Sequence, residues 1–392
     1  MLAVLFGVLA TCDSGPPVPA RVVVSPAAEL VTEVGAALQF AARVDDERGS
    51  AIPGAQVVWS TDDPTVATAD PQGRVTARAQ GRTVVTAVAA GASGHATLDV
   101  YLPPARDFAV GTTHLGRNGY VAFEVGDLPL VIAAPHGGAE LPDEIADRAW
   151  GATSQDRNTM DVARRLAAAL ELLTGKRPHL VLCHLHRTKL DANREVIEAA
   201  QDNPFAEWAW TEYHAFIDTA KARTTITFGG GLYLDMHGHG HEVQRLELGY
   251  LLTGAELALT DAALEAGAYE TESSVRALVA RSDSSFANIV RGAVSLGGLL
   301  AARGYRTVPS PAELDPGGAP YYSGGYSTAR HGSRDGGSVS AIQVEANWEG
   351  VRDTQAGIQA FADSLASALV AYFEVHFGSH LAAPAAALVS RP

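Results

Sequence analysis

Two hydrophobic rhythms divide the chain. Between residues 20 and 101, short Val-rich runs at 21–24, 37–44, 56–60 and 83–88 alternate with Gly, Pro and Asp turn residues. Short strands at even spacing, bounded by such turns, predict an all-β sandwich. The run Tyr101-Leu102-Pro103-Pro104-Ala105-Arg106 then reads as a stiff linker. Past residue 107, strand-length apolar runs alternate with helical periods. Residues 161–173 carry an apolar stripe through Val162, Leu166, Leu170 and Leu173, and Gly175 and Pro178 end it. Residues 179–186 and 231–236 read as strands, 205–220 as a helix, and 352–377 as a long amphipathic helix. This alternation predicts an α/β domain with a largely parallel or mixed sheet. The expected organisation is a leader and spacer over 1–19, a sandwich over 20–101, an α/β domain over 107–380 and an Ala/Pro-rich tail over 381–392.

Two apolar runs end in His followed by Gly, about a hundred residues apart: Val131-Ile132-Ala133-Ala134-Pro135-His136-Gly137-Gly138 and Tyr233-Leu234-Asp235-Met236-His237-Gly238. In open α/β sheets, ligands collect beyond the carboxyl ends of strands. Two histidines and a carboxylate at such ends can form a three-ligand, open zinc site. Glu140 lies four residues after His136 and shares its face if a helical turn follows, with Pro142 suited to the first turn. Asp235 is open to two roles, orienting a ring or capping a turn. His239 and His241 read as solvated loop residues.

Three further groups carry chemistry. Arg187-Thr188-Lys189-Leu190-Asp191-Ala192-Asn193-Arg194 sets two guanidiniums around Asp191 and Asn193, a set suited to clamping a carboxylate. An ion pair with Asp191 is the alternative for Arg187. In Ala341-Ile342-Gln343-Val344-Glu345-Ala346-Asn347, Gln343 and Glu345 fall on one strand face, so Glu345 can serve as a base toward a water on a metal. The Gly-rich, aromatic stretch 321–332 reads as a loop over substrate with Tyr326 as a donor.

Composition narrows the partners. The 392 residues are 47% hydrophobic and 19% charged, a globular balance, with a formal net charge of −15. An acidic surface disfavours a nucleic-acid backbone. Cys12 and Cys183 do not form a disulfide framework. Residues 2–10 are apolar and resemble a secretory core segment, though no Lys or Arg precedes them. Leu9-Ala10-Thr11-Cys12 looks like a lipoprotein processing box, in which a lipid on Cys12 is the membrane contact. Both readings export the protein. No other run reads as a membrane-spanning helix.

Residues 57–67, 73–77 and 81–87 resemble the bacterial immunoglobulin-like type 2 family. That resemblance implies a spacer or adhesion module, with a possible cell-surface ligand. Trp59 is expected in its core, and Asp63-Pro64 in a turn. His136 with Gly138 and Glu140-Leu141-Pro142, then Asp191 to Arg194, Asp235 to Gly238, Gly324-Gly325-Tyr326 and Gln343-Val344-Glu345 resemble, in order, the N-formylglutamate amidohydrolase family. That family is related to zinc carboxypeptidases with a phosphorylase/hydrolase-like fold. The resemblance covers about 130–372 and implies one zinc ion on His136, Glu140 and His237. It also implies Glu345 as base, with Asn193 and Arg194 on a substrate carboxylate. Arg187 and Tyr326 complete the expected set. The first His and Glu are four apart here rather than three, and 254–310 matches no motif. The expectation is an exported zinc-dependent hydrolase of an amide or peptide bond in a small-molecule or peptide substrate. The alternative is a non-catalytic surface protein on a degenerate scaffold.

Overall fold

A computed structural model describes residues 17–104, 106–378 and 381. The apolar N-terminal run with Cys12 and the tail from 382 lie outside the described residues. The chain divides into two compact units, Met1–Pro104 and Ala105–Pro392.

The first unit is built from β1 (Pro19–Ser25), β2 (Ala28–Val31), β3 (Ala37–Gln39), β4 (Ala41–Asp46), β5 (Val58–Thr61), β6 (Ala67–Ala69), β7 (Arg74–Ala77), β8 (Gly81–Ala89) and β9 (Ala92–Val100). They pair as β1-β4, β2-β9-β8-β5 and β3-β7-β6. Strict alternation in β8 buries Thr83, Val85, Ala87 and Ala89 while their neighbours face outward. Phe40, fully buried, is the large core residue. Trp59 is only partly buried, because it packs on the rim against Gly73, where a Cβ would meet the indole. Asp63 turns the chain as expected: its Oδ1 accepts the Thr65 N–H at 2.9 Å.

The second unit carries an eight-stranded mixed sheet. Its strands are β10 (Thr113–Leu115), β11 (Val121–Glu124), β12 (Leu130–Ala134), β13 (His179–Cys183), β14 (Gly231–Gly238), β15 (Leu246–Gly249), β16 (Thr307–Val308) and β17 (Val339–Ala346). Their order is β10-β11-β13-β12-β14-β17-β15-β16. The central four, β13-β12-β14-β17, are parallel, and β11 and β15 flank them antiparallel. The helix Thr159–Thr174 leads from β12 to β13 on one face, and the helix Pro204–Phe228 returns to β14 across the other. The order of strand addition therefore reverses between the parallel neighbours β12 and β14, the place where such sheets open a crevice.

On the first face, Leu232, Leu234, Met236, Ile342 and Val344 pack under Val162, Leu166 and Leu170 and under the helix Gln355–Phe377. Each such fully buried side chain contributes about 2 kcal/mol of apolar transfer. Leu173 leaves the expected stripe at 47% exposure, since Thr174 takes the buried position. The helix Pro204–Phe228 runs eight residues past the expected end, through Thr224, Thr225, Ile226 and Thr227. Thr224, packed on Gly231, overrides weak local propensity until Gly229, at φ 72°, stops the helix. Thr354 caps the last helix, accepting the Gly357 N–H at 3.0 Å, so the helix starts three residues later than expected. By length and composition, Gln355–Phe377 is apolar enough to cross a membrane, contrary to expectation. Its apolarity serves the core, where Ile358, Phe361, Leu365, Leu369 and Phe373 are fully buried.

One buried histidine makes stability depend on pH. His179, 2% exposed, accepts the Gly126 N–H on Nδ1 at 3.0 Å, which requires a neutral ring. Burial, then the Arg223 charge, pushes its pKa down to about 4. Between pH 6.5 and 4 the unfolded chain takes up a proton that the folded chain refuses. Stability should therefore fall with pH across this window, by about 3 kcal/mol from this residue. Urea unfolding of His179→Gln at several pH values should show a shallower slope between pH 6.5 and 4 than the native chain. An unchanged slope would contradict the assignment.

Candidate metal centre and catalytic cleft

The reversal between β12 and β14 sets two histidines side by side. Ala133 pairs with Asp235, and two residues beyond β12 His136 stands at the carboxyl end beside His237 of β14. The two rings lie 4.8 Å apart, nearly edge to face. Both following glycines are close-approach positions. A Cβ on Gly138 would overlap the His184 backbone, and one on Gly238 would overlap the Arg352 guanidinium.

Each ring is oriented from behind by a buried aspartate. His136 Nε2 lies 2.7 Å from Asp191 Oδ1, and His237 Nε2 lies 3.1 Å from Asp235 Oδ1. Asp191 is itself held by the Asn193 N–H at 3.0 Å and by Arg187 Nε at 2.9 Å. Asp235 accepts from Thr328 Oγ1 at 2.9 Å and from the Tyr233 hydroxyl at 3.2 Å. A carboxylate only accepts, and each ring meets one at both nitrogens; with the Nε2 proton kept toward the buried aspartate, a ring that loses its second proton turns the Nδ1 lone pair toward a cation. Both Nδ1 atoms lie 3.2 Å from one atom, Asp156 Oδ2.

This convergence of acceptors suits a cation. His136, Asp156 and His237 each offer one ligand atom, all within 4.8 Å of one another. Burial alone would raise the Asp156 carboxyl, yet the two imidazoles hold it well below the carboxylate range. Burial disfavours a charged His237, but Asp235, Asp156 and Glu345 together raise its pKa well above the ordinary value. The site therefore demands positive charge, from a proton or from a metal.

Glu140 does not join the two histidines. No helical turn follows His136. Residue 140 instead bridges Leu185 in strand fashion, with its N–H on the His184 carbonyl at 2.9 Å and its carbonyl on the His186 N–H at 2.9 Å. Its side chain is 51% exposed and borders a different cavity, beside His184. Asp156 is the carboxylate that stands beside both rings. It lies in the polar stretch before the helix Thr159–Thr174, where sequence spacing carries no sign of the contact.

The histidines open onto a cavity of about 240 Å³, lined also by Asp156, Arg187, Asn193, Arg194, Tyr322 and Glu345. Glu345 sits directly beside His237 in register. Its Oε1 accepts the Gln343 amide at 2.9 Å, and Gln343 is fixed in turn by the Gly325 N–H at 2.6 Å. Burial pushes Glu345 up to about 8, against the pull of His237 and with the push of the Asp156, Glu247 and Asp235 carboxylates. Arg187 makes the ion pair with Asp191, and its Nη1 lies 3.6 Å from Asp156 Oδ1. Asn193 is tied down. Its Oδ1 accepts the Ser327 N–H at 2.7 Å. Arg194, 35% exposed, leans on Glu198 at 3.2 Å. Tyr326 does not line the cavity. It starts the helix Tyr326–His331, and its hydroxyl accepts from Arg330 at 3.2 Å, so Tyr322 holds the rim instead. The stretch 254–310, which matches no motif, forms short helices and the strand β16 and lines none of this cavity.

No curated protein matches the chain. Among solved structures, an N-formylglutamate amidohydrolase from Ralstonia eutropha JMP134 is similar at 14% identity and a TM-score of 0.40, over 68% of this chain and 98% of that one. A gene product from Agrobacterium tumefaciens is similar at 13% identity and a TM-score of 0.40, over 64% and 94%. Domains 4 and 5 of the S-layer protein SbsC are similar at 20% identity and a TM-score of 0.20, over 22% of this chain. The match spans 53% of that S-layer fragment, little more than half its length. Residues 20–100 match the family of bacterial Ig-like domains (group 2), which assigns the N-terminal sandwich, though not the α/β unit, to that family.

Proposed function

We propose that the α/β unit is a zinc-dependent hydrolase of an amide or peptide bond in a carboxylate-bearing substrate, acting outside the cytoplasm. The carrying observation is the pair of imidazoles whose Nε2 atoms are tied to buried aspartates. Their Nδ1 atoms meet Asp156 beside the buried Glu345. Carboxylate–histidine pairs of this kind fix the ring tautomer for a metal. Two histidines and one carboxylate form the three-ligand set of a catalytic zinc site with an open position. Here the third ligand is Asp156 rather than Glu140. Bound zinc would supply Lewis-acid polarisation of the scissile carbonyl and a water acidic near pH 7.

The chain's own groups divide the remaining work. Glu345, with one oxygen held by Gln343, takes the proton of the attacking water on the other and passes it to the leaving amine. Arg187, pinned by Asp191 and Asp156, faces the cavity as a fixed positive charge for the oxyanion, a contribution of about 3 kcal/mol for one such donor. Arg194 anchors the substrate carboxylate at the rim. A 240 Å³ cavity suits an N-acyl amino acid or the end of a peptide or cell-wall peptide. The Ig-like sandwich and the apolar N-terminal run support export.

Dialysis of the purified chain against a chelator should abolish turnover of N-acyl amino acids and short peptides, and added Zn²⁺ should restore it. Turnover that survives complete metal removal would sink this reading.

A further inference from the structure

We propose that the chain holds a second divalent-cation site, formed by His239, His241 and Glu247. It uses none of the three ligands assigned above and stands independently of them. After β14 ends, the chain runs through His239, Gly240 and His241 and returns as β15, antiparallel to β17. This turn brings Glu247 opposite Glu345, which on its other side pairs with His237. The three side chains share one sheet face, so the second cluster flanks Glu345 across from the first.

The three residues present one ligand atom each, all within 4.8 Å of one another. His239 Nε2 lies 2.8 Å from the Arg245 carbonyl, which can only accept. The proton is therefore on Nε2 and the lone pair on Nδ1, the side turned to His241. That Nδ1 also meets the His241 backbone N–H at 3.1 Å, a contact a ligand bond would have to displace or share. His241 Nδ1 lies 3.0 Å from Glu247 Oε1, and its ring stacks on Tyr322 at 4.7 Å. Glu247 is fully buried and His239 is 3% exposed.

Electrostatics supplies a second reason. Glu247 and Glu345 are buried carboxyl groups set directly opposite each other on antiparallel strands, an arrangement that repels once both are ionised. Arg245 Nε stands 3.8 Å from Glu247 while its Nη1 is directed to Glu313. A cation beside Glu247 adds to the positive charge that His241, the Tyr322 N–H at 2.9 Å and Arg245 already turn toward this buried carboxylate. Two imidazoles with one carboxylate suit Zn²⁺.

The test is metal stoichiometry of the full chain equilibrated with Zn²⁺ and desalted. Two ions per chain are expected. His239→Ala/His241→Ala should bind one, and so should His136→Ala/His237→Ala, each with native circular dichroism. If the native chain binds a single ion that the 239/241 variant keeps, the second site is overturned and the proposed hydrolase stands. If that ion is lost from the 239/241 variant and kept by the 136/237 variant, the second site stands and the hydrolase ligand set fails. A chain that binds none overturns both. Should the double variant not fold, His241→Gln alone, at a partly exposed position, should weaken one of two Zn²⁺ equivalents by about tenfold or more. Two unchanged equivalents in His241→Gln would contradict the site.

Discussion

Glu345→Gln is expected to lower kcat by about 10² to 10⁴ while leaving zinc content unchanged. The substitution keeps the side-chain volume and a partner for Gln343, whose amide donates to Glu345 at 2.9 Å. In the proposed reaction it removes the atom that would accept the proton of the attacking water. The pH profile offers a second readout. Burial and neighbouring carboxylates push Glu345 up to about 8, so at neutral pH it holds its proton until nearby positive charge offsets them. In the native chain kcat/KM should therefore fall as pH drops through the pKa of this group. In Glu345→Gln the residual rate should lose that acid limb. Loss of zinc from the variant would instead make Glu345 a ligand.

The second large effect separates two carboxylates. Asp156→Asn should weaken zinc binding by more than the tenfold to hundredfold typical of an outer-shell partner, and turnover should fall with it. The reason is geometric: Asp156 Oδ2 stands 3.2 Å from both imidazole Nδ1 atoms. Glu140→Gln should leave both zinc content and turnover close to native, because its side chain is half exposed and borders another cavity. The opposite pattern, zinc lost from Glu140→Gln and retained by Asp156→Asn, would return the ligand role to Glu140.

The division of the site into legible and illegible residues follows from how each is positioned. His136, His237 and Glu345 end or interrupt apolar runs that could only be central strands, and a polar group there has to face something. Asn193 and Arg194 stand in a dense polar motif directly after a strand. All five line the cavity. Asp156 belongs to a polar stretch before a helix, where an aspartate is ordinary. Only the fold of the 137–158 connection carries it 3.2 Å from both rings. Tyr326 shows the converse. A Gly-rich loop was expected, but the Gly325 amide binds Gln343 and the next six residues close into a helix that turns the phenol away.

By itself, the sequence determined the two units and their classes, since strand and helix periods are local properties that each stretch of chain carries without its partners. It also determined that β12 and β14 would present histidines at their carboxyl ends. The tertiary structure decided which groups meet. Strand order placed β12 beside β14 and β17, register set Glu345 between His237 and Glu247, and long-range packing chose Asp156 over Glu140. The physical reason is separation along the chain. Residue 156 lies 20 positions from His136 and 81 from His237, and contacts at that range depend on sheet order and loop path, to which local hydrophobic pattern is blind.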